Sequence, residues 1–511
     1  MEQPWIRIVF RRRVFIITLI MVQLAFIMFA IASTHFALHY MDVILKSFSI
    51  IVCIHILNKK DNSAYKLTWI FLILLFPLFG GPVYVFFYTQ SSPRKLRRKT
   101  EEITNRYRPF FKPDDEVTHE ISENHRECVP QVRYLQDYAG FPIYKRTQTQ
   151  YFDSGESFFA QVLSELQKAK RYIFLEFFIM RQGKMLDPII AILAEKARAG
   201  LDVRIMYDDL GCFTSLPPHF NETLENLGIK CLVFGPFKPI LSSLQNNRDH
   251  RKIISIDGEV AFTGGINLAD EYINARARFG HWKDSAIMLS GEAAWGLTLI
   301  FLHMWNLNSK VEDDVSAFYP WATEPCSVES DGYVQPYADT PIDKRNVGEH
   351  VYIQIMNDAK EYLYINTPYL VIDDKLLSAL ILAAKSGIDV RIITPYRWDK
   401  WIVSVVSRSY YRQLILSGVK VYEYSAGFNH SKSFVSDDRV ATVGTTNLDF
   451  RSLYLHYECG VWMYKTKTVA TIKEDFLSTL ASCKEITLAD CARNALQRIT
   501  QDVLRIFAPL M

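Results

Sequence analysis

The chain has 511 residues, room for two or three domains, and its 58 Lys and Arg against 55 Asp and Glu leave a formal charge of +3. That balance excludes the strongly basic footprint of a nucleic-acid binder. Hydrophobic residues at 49% and aromatics at 14% are high for a wholly water-borne chain, and the excess is concentrated near the N-terminus. The eight cysteines form no CxxC pair, so neither a zinc site nor a disulfide framework is expected.

The first element is an apolar run, "VFIITLIMVQLAFIMFAIA", from Val14 to Ala32. About 20 such residues cross a bilayer as a helix. The run is too long for a signal-peptide core and no small-x-small cleavage site follows, so a retained span over 14–33 is expected. A second span is expected over 36–57, where Asp42 and Lys46 stand four apart and can pair on one helical face. A third apolar segment, 67–88, is broken by "FPLFGGP", because two prolines and two glycines interrupt a straight helix. Basic clusters at Arg7 and Arg11–Arg13, at Lys59, Lys60 and Lys66, and at Arg94–Lys99 all favour the cytoplasm. Two crossings with a re-entrant third segment satisfy all three; the alternative is that one of the first two stretches is interfacial. The organisation is therefore a membrane region 1–92, a basic linker 93–130, and two further domains at 131–325 and 326–511. The basic stretch after residue 91 is placed to meet anionic headgroups.

Beyond residue 130 the chain repeats. "AKRYIFLEFFIM" from Ala169 and "AKEYLYINTPYL" from Ala359 each hold an apolar strand. Each is followed by a helix with apolar residues at three-to-four spacing, a glycine stop at Gly200 or Gly387, and a second strand, "DVRIMY" or "DVRIIT". The fold class expected is α/β, with two duplicated domains, each a mixed, mostly parallel sheet flanked by helices.

The repeat carries a paired motif. "DHRKIISIDGEVAFTGGIN" places His250, Lys252 and Asp257 at HxKxxxxD spacing, ahead of Gly264, Gly265 and Asn267. "NHSKSFVSDDRVATVGTTN" repeats it with His430, Lys432, Asp437, Gly444, Thr445 and Asn447. Farther on, "HWKDSAIML" from His281 matches "HYECGVWMY" from His456 and pairs Asp284 with Glu458. One such motif arises by chance; two at matching places in a longer repeat do not.

His and Lys two apart on a strand share a face, so two domains about a pseudo-two-fold axis would pool two imidazoles, two ammoniums and two amides. Such a set suits a phosphate and not a metal. One imidazole can attack phosphorus while the other moves the proton of the departing and incoming alcohols. Lys252, Lys432, Asn267 and Asn447 would neutralise the non-bridging oxygens. Asp284 and Glu458 would each hold the far nitrogen of a histidine. Asp257 and Asp437, at odd spacing from the lysines, are expected on the opposite strand face in structural roles. His281 and His456 are expected in packing or at the surface. The tail, Thr468–Met511, has helical periodicity and is expected to pack on the second domain.

These motifs resemble those of the phospholipase D superfamily. With "DVRIMYDDLG", "GTTNLDFRS", the broken segment "TWIFLILLFPLFGGPVYVFFY" and the terminal "APLM", the chain is similar over roughly residues 10–511 to the bacterial cardiolipin synthase family. That resemblance implies a metal-independent phosphatidyl transfer between phosphatidylglycerol molecules, with no cofactor, on the cytoplasmic side of the plasma membrane of a bacterium. It implies His250, Lys252, Asn267, Asp284, His430, Lys432, Asn447 and Glu458 as catalytic residues, with His250 favoured as nucleophile. The partners implied are phosphatidylglycerol and anionic membrane lipid, not nucleic acid, with a homo-oligomer left open. Asn429 and Ser431, His456 in place of asparagine, and "QPYADTP" from Gln335 depart from the family pattern and bear on the choice of acceptor. The rival readings are a phospholipid hydrolase, a transferase using serine or ethanolamine, a membrane-tethered nuclease and a non-catalytic scaffold.

Overall fold

A computed structural model describes residues 36–89, 94–237, 243–322, 324–343 and 345–511; the expected span at 14–33, Met21 apart, lies outside them. Among the described residues no helix is long and apolar enough to cross a membrane, which corrects the expected span at 36–57. A helix does form there, Phe36–Asn58, but polar residues at 39, 42, 46, 47, 49 and 55 dilute its apolar content. The third segment breaks where expected, into helices Ser63–Leu75 and Gly80–Thr89. At 13 and 10 residues they reach about 20 and 15 Å, short of a bilayer core of about 30 Å. The turn between them packs on the first helix, where the Ser49 hydroxyl donates to the Pro77 carbonyl at 2.7 Å. A Cβ on Gly81 would meet Ser49 Oγ at 2.9 Å, so the helices close only around glycine.

This helical trio is bolted to the second domain. Asn62 Nδ2 donates to Asp373 Oδ2 at 3.0 Å and to the Tyr454 hydroxyl at 2.9 Å, and Thr68 donates to the Ile506 carbonyl at 2.6 Å. Thr68 thus meets the end of the C-terminal helix Ala495–Ile506, which packs as expected while leaving Leu496 and Ile499 exposed. The stretch expected to be a basic linker is also folded. Its helix Arg94–Tyr107 buries Ile103 and Tyr107 against Trp305, and Asp115–Asn124 buries Val117 and Ile121.

The first domain contains β1 (Thr147–Phe152), β2 (Tyr172–Phe177), β3 (Asp202–Asp208), β4 (Lys230–Phe234), β5 (Lys252–Ile256), β6 (Val260–Gly264), β7 (His281–Lys283) and β8 (Ala286–Gly291). The second contains β9 (Tyr333–Asp339), β10 (Tyr362–Asn366), β11 (Leu370–Val371), β12 (Asp389–Pro395), β13 (Lys420–Tyr424), β14 (Gly427–Asn429), β15 (Ser433–Ser436), β16 (Val440–Gly444), β17 (Leu448–Asp449), β18 (Glu458–Tyr464) and β19 (Cys483–Glu485). The main sheets run β1-β8-β6-β5-β2-β3-β4 and β9-β18-β16-β15-β10-β12-β13-β19, the same order twice with one strand added. Within these two sheets only β2-β3-β4 and β10-β12-β13 are parallel, so the expectation of mostly parallel sheets is corrected.

The motif itself causes the change. β5 and β6 form a hairpin whose turn residues Asp257 and Gly258 both have positive φ, at 56° and 75°. Asp257 therefore lies in the turn and not on the strand face. Its carboxylate accepts the N–H groups of Lys170, Arg171 and Tyr172, each at 2.8 Å, and Asp437 does the same for Lys360, Glu361 and Tyr362 at 2.8–3.0 Å. The aspartate of each motif ties its hairpin to the start of the neighbouring strand.

The two sheets pack face to face. Ile253, Ala261, Ile287 and Leu289 share one buried cluster with Val435, Ala441, Val443 and Val461.

Candidate active site

Backbone pairing between the domains builds the site. β7 runs parallel to β14 with Asn429 opposite Lys283, and Asp249 forms a parallel bridge with Tyr457. Each histidine is the residue after one partner, and each acid the residue after the other. The same register thus brings His430 to Asp284 and His250 to Glu458. The His430 N–H donates to the Lys283 carbonyl at 2.7 Å, and the His250 N–H to the Tyr457 carbonyl at 3.0 Å.

The acids cross over. His430 Nδ1 lies 2.7 Å from Asp284 Oδ2, and His250 Nδ1 lies 2.9 and 3.0 Å from the two oxygens of Glu458. Each domain orients the other's imidazole and leaves its Nε2 for chemistry. Gly265 permits the first contact, since a Cβ there would sit 2.1 Å from Asp284 Oδ1. Thr445 holds the equivalent place in the second half, where its hydroxyl donates to Glu458 Oε2.

Both lysines are buried and turn back on their own motif. Lys252 Nζ donates to the His250 carbonyl, and Lys432 Nζ to the His430 carbonyl while lying 3.0 Å from His430 Nδ1. The two asparagines differ from expectation. Asn267 is bonded at both ends of its amide, accepting the Ile179 N–H at 3.0 Å and donating to the Tyr272 hydroxyl at 2.7 Å, so it shapes the wall. Asn447 donates to Asp449 Oδ2 at 3.2 Å, and its buried Oδ1 has no hydrogen-bond partner.

Two ammoniums face Asp284 and Glu458, and Glu458 is held well above the carboxylate range by burial, so the cluster lacks negative charge. Burial first, then Lys252, holds the His250 imidazole well below its usual range. Burial, then Lys432, lowers His430 to about 4 against the pull of Asp284. Burial lowers Lys252 to about 8 and Lys432 to about 7, and raises Glu458 well above the carboxylate range. Both imidazoles are thus neutral near pH 7 and keep a lone pair for attack. A phosphate diester supplies the missing anion and raises all four basic groups together.

His456 is a member of the site that the sequence reading placed elsewhere. Its buried ring lies 5.4 Å from that of His250, with Nδ1 3.7 Å from Glu458 Oε1. Its position two residues before Glu458 was the available signal. His281 follows expectation: it is exposed and meets the Tyr424 hydroxyl at 2.9 Å. His250, His456 and Glu458 form the one group able to hold a metal among the described residues, with ligand atoms within 4.8 Å of one another. An ion there would displace the His250–Glu458 bond in a neighbourhood rich in cations, so the set fits a resident metal poorly. Aromatic rings wall both halves, Phe178 against His250 at 4.9 Å and Trp282 and Tyr272 against His430 at 5.4 and 5.6 Å.

Behind each histidine stands a clamp. Asp208, at the end of β3, accepts from Arg248 Nε and Nη2 at 2.9 and 2.8 Å and from the Asp249 N–H at 3.0 Å, all buried. In the second half Asn429 Nδ2 donates to Asn366 Oδ1 at 3.0 Å.

Neutral imidazoles backed by carboxylates and flanked by lysines, on a duplicated mixed sheet, define a phosphotransferase of the two-histidine type. A family profile described as "Cardiolipin synthase, PLD-like domain" matches residues 162–280 and 352–480, and one described as "Phospholipase_D-nuclease N-terminal" matches 47–87. "Cardiolipin synthase 2" of Bacillus cereus is 34% identical over 90% of this chain and 90% of its own. "Cardiolipin synthase" of a Geobacillus species is 34% identical over 92% of this chain and 93% of its own, and an uncharacterized protein of Streptococcus mutans is 40% identical over 90% and 99%. The chain belongs to the cardiolipin synthase family. A solved structure, the phosphatidylserine synthase of Haemophilus influenzae, shares the fold with a TM-score of 0.55 at 14% identity, covering 74% of this chain and 97% of its own. Family and fold together support phospholipid phosphatidyl transfer.

Proposed function

We propose that this protein joins two phosphatidylglycerol molecules into cardiolipin and releases glycerol, through a phosphatidyl-histidine intermediate. The crossed pairing of His250 with Glu458 and His430 with Asp284 carries this reading, because it holds both imidazoles by Nδ1 and leaves the Nε2 of each for a phosphorus. The bound phosphate raises the His430 imidazole so that it takes up a proton; His250 Nε2 attacks phosphorus, the bond to the glycerol oxygen breaks, and the His430 imidazolium gives that oxygen its proton. The hydroxyl of a second phosphatidylglycerol then loses its proton to His430 and attacks phosphorus, and the bond to His250 breaks. Lys252 and Lys432 neutralise the non-bridging oxygens, and Asn267 and Asn447 complete the wall.

The substrates sit in a bilayer, and we place the protein on the cytoplasmic face of one. Ile44, Ile51, Leu57, Leu67 and Leu74 on the N-terminal helices are each 60–69% exposed, a patch of the kind that marks a lipid contact. The test is to supply the full-length protein with headgroup-labelled phosphatidylglycerol in liposomes. Cardiolipin with free glycerol is the expected product pair. Phosphatidic acid alone would make the protein a hydrolase, and turnover that requires serine or ethanolamine would change the acceptor. Degradation of DNA without lipid turnover would overturn the reading.

A further inference from the structure

A cavity apart from the active site lies on the other side of the catalytic strands. It encloses about 730 Å³, well within the range of small-molecule sites, between the helix Arg94–Tyr107, the helix Glu292–Asn308 and the segment after β9. Phe111, Phe141, Ile300, Met304, Leu307 and Ile342 give it an apolar wall. Its floor includes Arg251 and Tyr457, which flank His250 and Glu458 in the chain but face the opposite way.

Charge at the rim selects the occupant. Arg97 is engaged by Glu101 at 3.1 Å and Arg345 by Asp343 at 2.6 Å. Arg108 and Lys112 are exposed at the rim with no ionic partner among the described residues, against two carboxylates without one, Asp137 at the rim and the buried Asp339, which accepts the Thr340 and Gly348 N–H groups. The floor holds a third cation. Arg251 is 4% exposed, and its Nη1 has no hydrogen-bond partner and reaches only to 3.8 Å from Glu176. The helix that carries Arg108 at its end begins at Arg94, five residues after the apolar hairpin ends at Thr89.

We propose that this cavity binds one anionic phospholipid, its acyl chain along the apolar wall and its headgroup at Arg108 and Lys112, as a site separate from the catalytic one. The bound lipid would act on catalysis through Arg251, whose Nε and Nη2 hold the carbonyls of Glu458 and Asp339 at 3.2 Å each. A lipid in the cavity therefore braces the backbone that presents the carboxylate of His250.

The inference does not depend on the transfer reaction, so it is tested with the full-length His430→Ala protein, which cannot turn lipid over. The protein is placed in liposomes holding phosphatidylglycerol with a photoreactive acyl chain, irradiated, and its cross-linked peptides are mapped. Adducts are expected on the segments 107–113 and 300–307, about fivefold above those from phosphatidylcholine with the same chain. Met304→Trp, which fills the cavity, should remove them. The double variant Arg108→Glu, Lys112→Glu, altered only at exposed positions, should lower them about fivefold even if Met304→Trp fails to fold. Equal labelling by the zwitterionic lipid, or labelling unchanged in the double variant, overturns the proposal.

Discussion

Around His250 the fold uses charge, and around His430 it uses neutral amides. The first histidine follows a buried Arg248–Asp208 ion pair and faces a glutamate shared with Thr445 and approached by His456. The second follows the Asn429–Asn366 contact and faces an aspartate through one 2.7 Å bond. Backbone register is the same in both halves, so the duplication fixed the geometry while the side chains diverged. Equal placement with unequal electrostatics suits a reaction in which one imidazole attacks and the other only moves protons.

The largest effect should show that the halves are one site. His250→Ala and His430→Ala should each lower cardiolipin formation by about 10⁴-fold or more, measured by product label. Loss of less than about tenfold in either would mean that the second half is dispensable.

The crossed acids should separate the halves. Asp284 Oδ1 accepts the Ser285 N–H at 2.8 Å, so Asn at 284 would turn its NH₂ toward His430 and favour the wrong tautomer. Glu458 faces a hydroxyl that can reverse its role, so Gln there can keep an oxygen toward His250. Asp284→Asn should therefore cost about 10³-fold in kcat, and Glu458→Gln clearly less. The reverse order would refute this account of the asymmetry.

The clamps should differ in stability. Asp208→Ala leaves the buried Arg248 guanidinium unpaired and should cost about 3–5 kcal/mol, whereas Asn366→Ala should cost about 1–2 kcal/mol. Denaturant unfolding, followed as a shift in midpoint, checks both.

The smallest effect concerns pH. The lysines are useful protonated, and their lowered values mean that the proton is lost as pH rises. On the alkaline side kcat/KM should fall about tenfold per unit above pH 7 as Lys432 deprotonates and about a hundredfold per unit above pH 8 as Lys252 follows. Lys432→Arg should abolish the first fall and leave the second. A profile flat from pH 6 to 9 would contradict both assignments.

Much of this site was legible because a repeat tests itself: His250 and Lys252 gained weight only from His430 and Lys432. Asp284 and Glu458 followed from the same alignment of the halves. That each serves the other domain's histidine was not legible, because it is set by the pairing of Asn429 with Lys283 and of Asp249 with Tyr457, contacts that no local pattern encodes. Strand direction was misread for a related reason. Strand–helix–strand units predict parallel sheets, while the "DG" and "DD" turns at 257–258 and 437–438 signal hairpins, whose strands pair antiparallel with their neighbours on both sides. Apolar content at 36–57 suggested a span, whereas no described helix is long and apolar enough to cross a membrane.

The crossed carboxylates also set a schedule for activity during synthesis. Glu458 follows His250 by 208 residues, so at roughly 5–20 residues per second the first domain leaves the ribosome roughly 10–40 s before its histidine gains a partner. Through that interval, and in any fragment cut between the domains, His250 stands without the acid that orients it, so no phosphatidyl transfer is expected. Dependence of each half on the other works as a built-in safety catch.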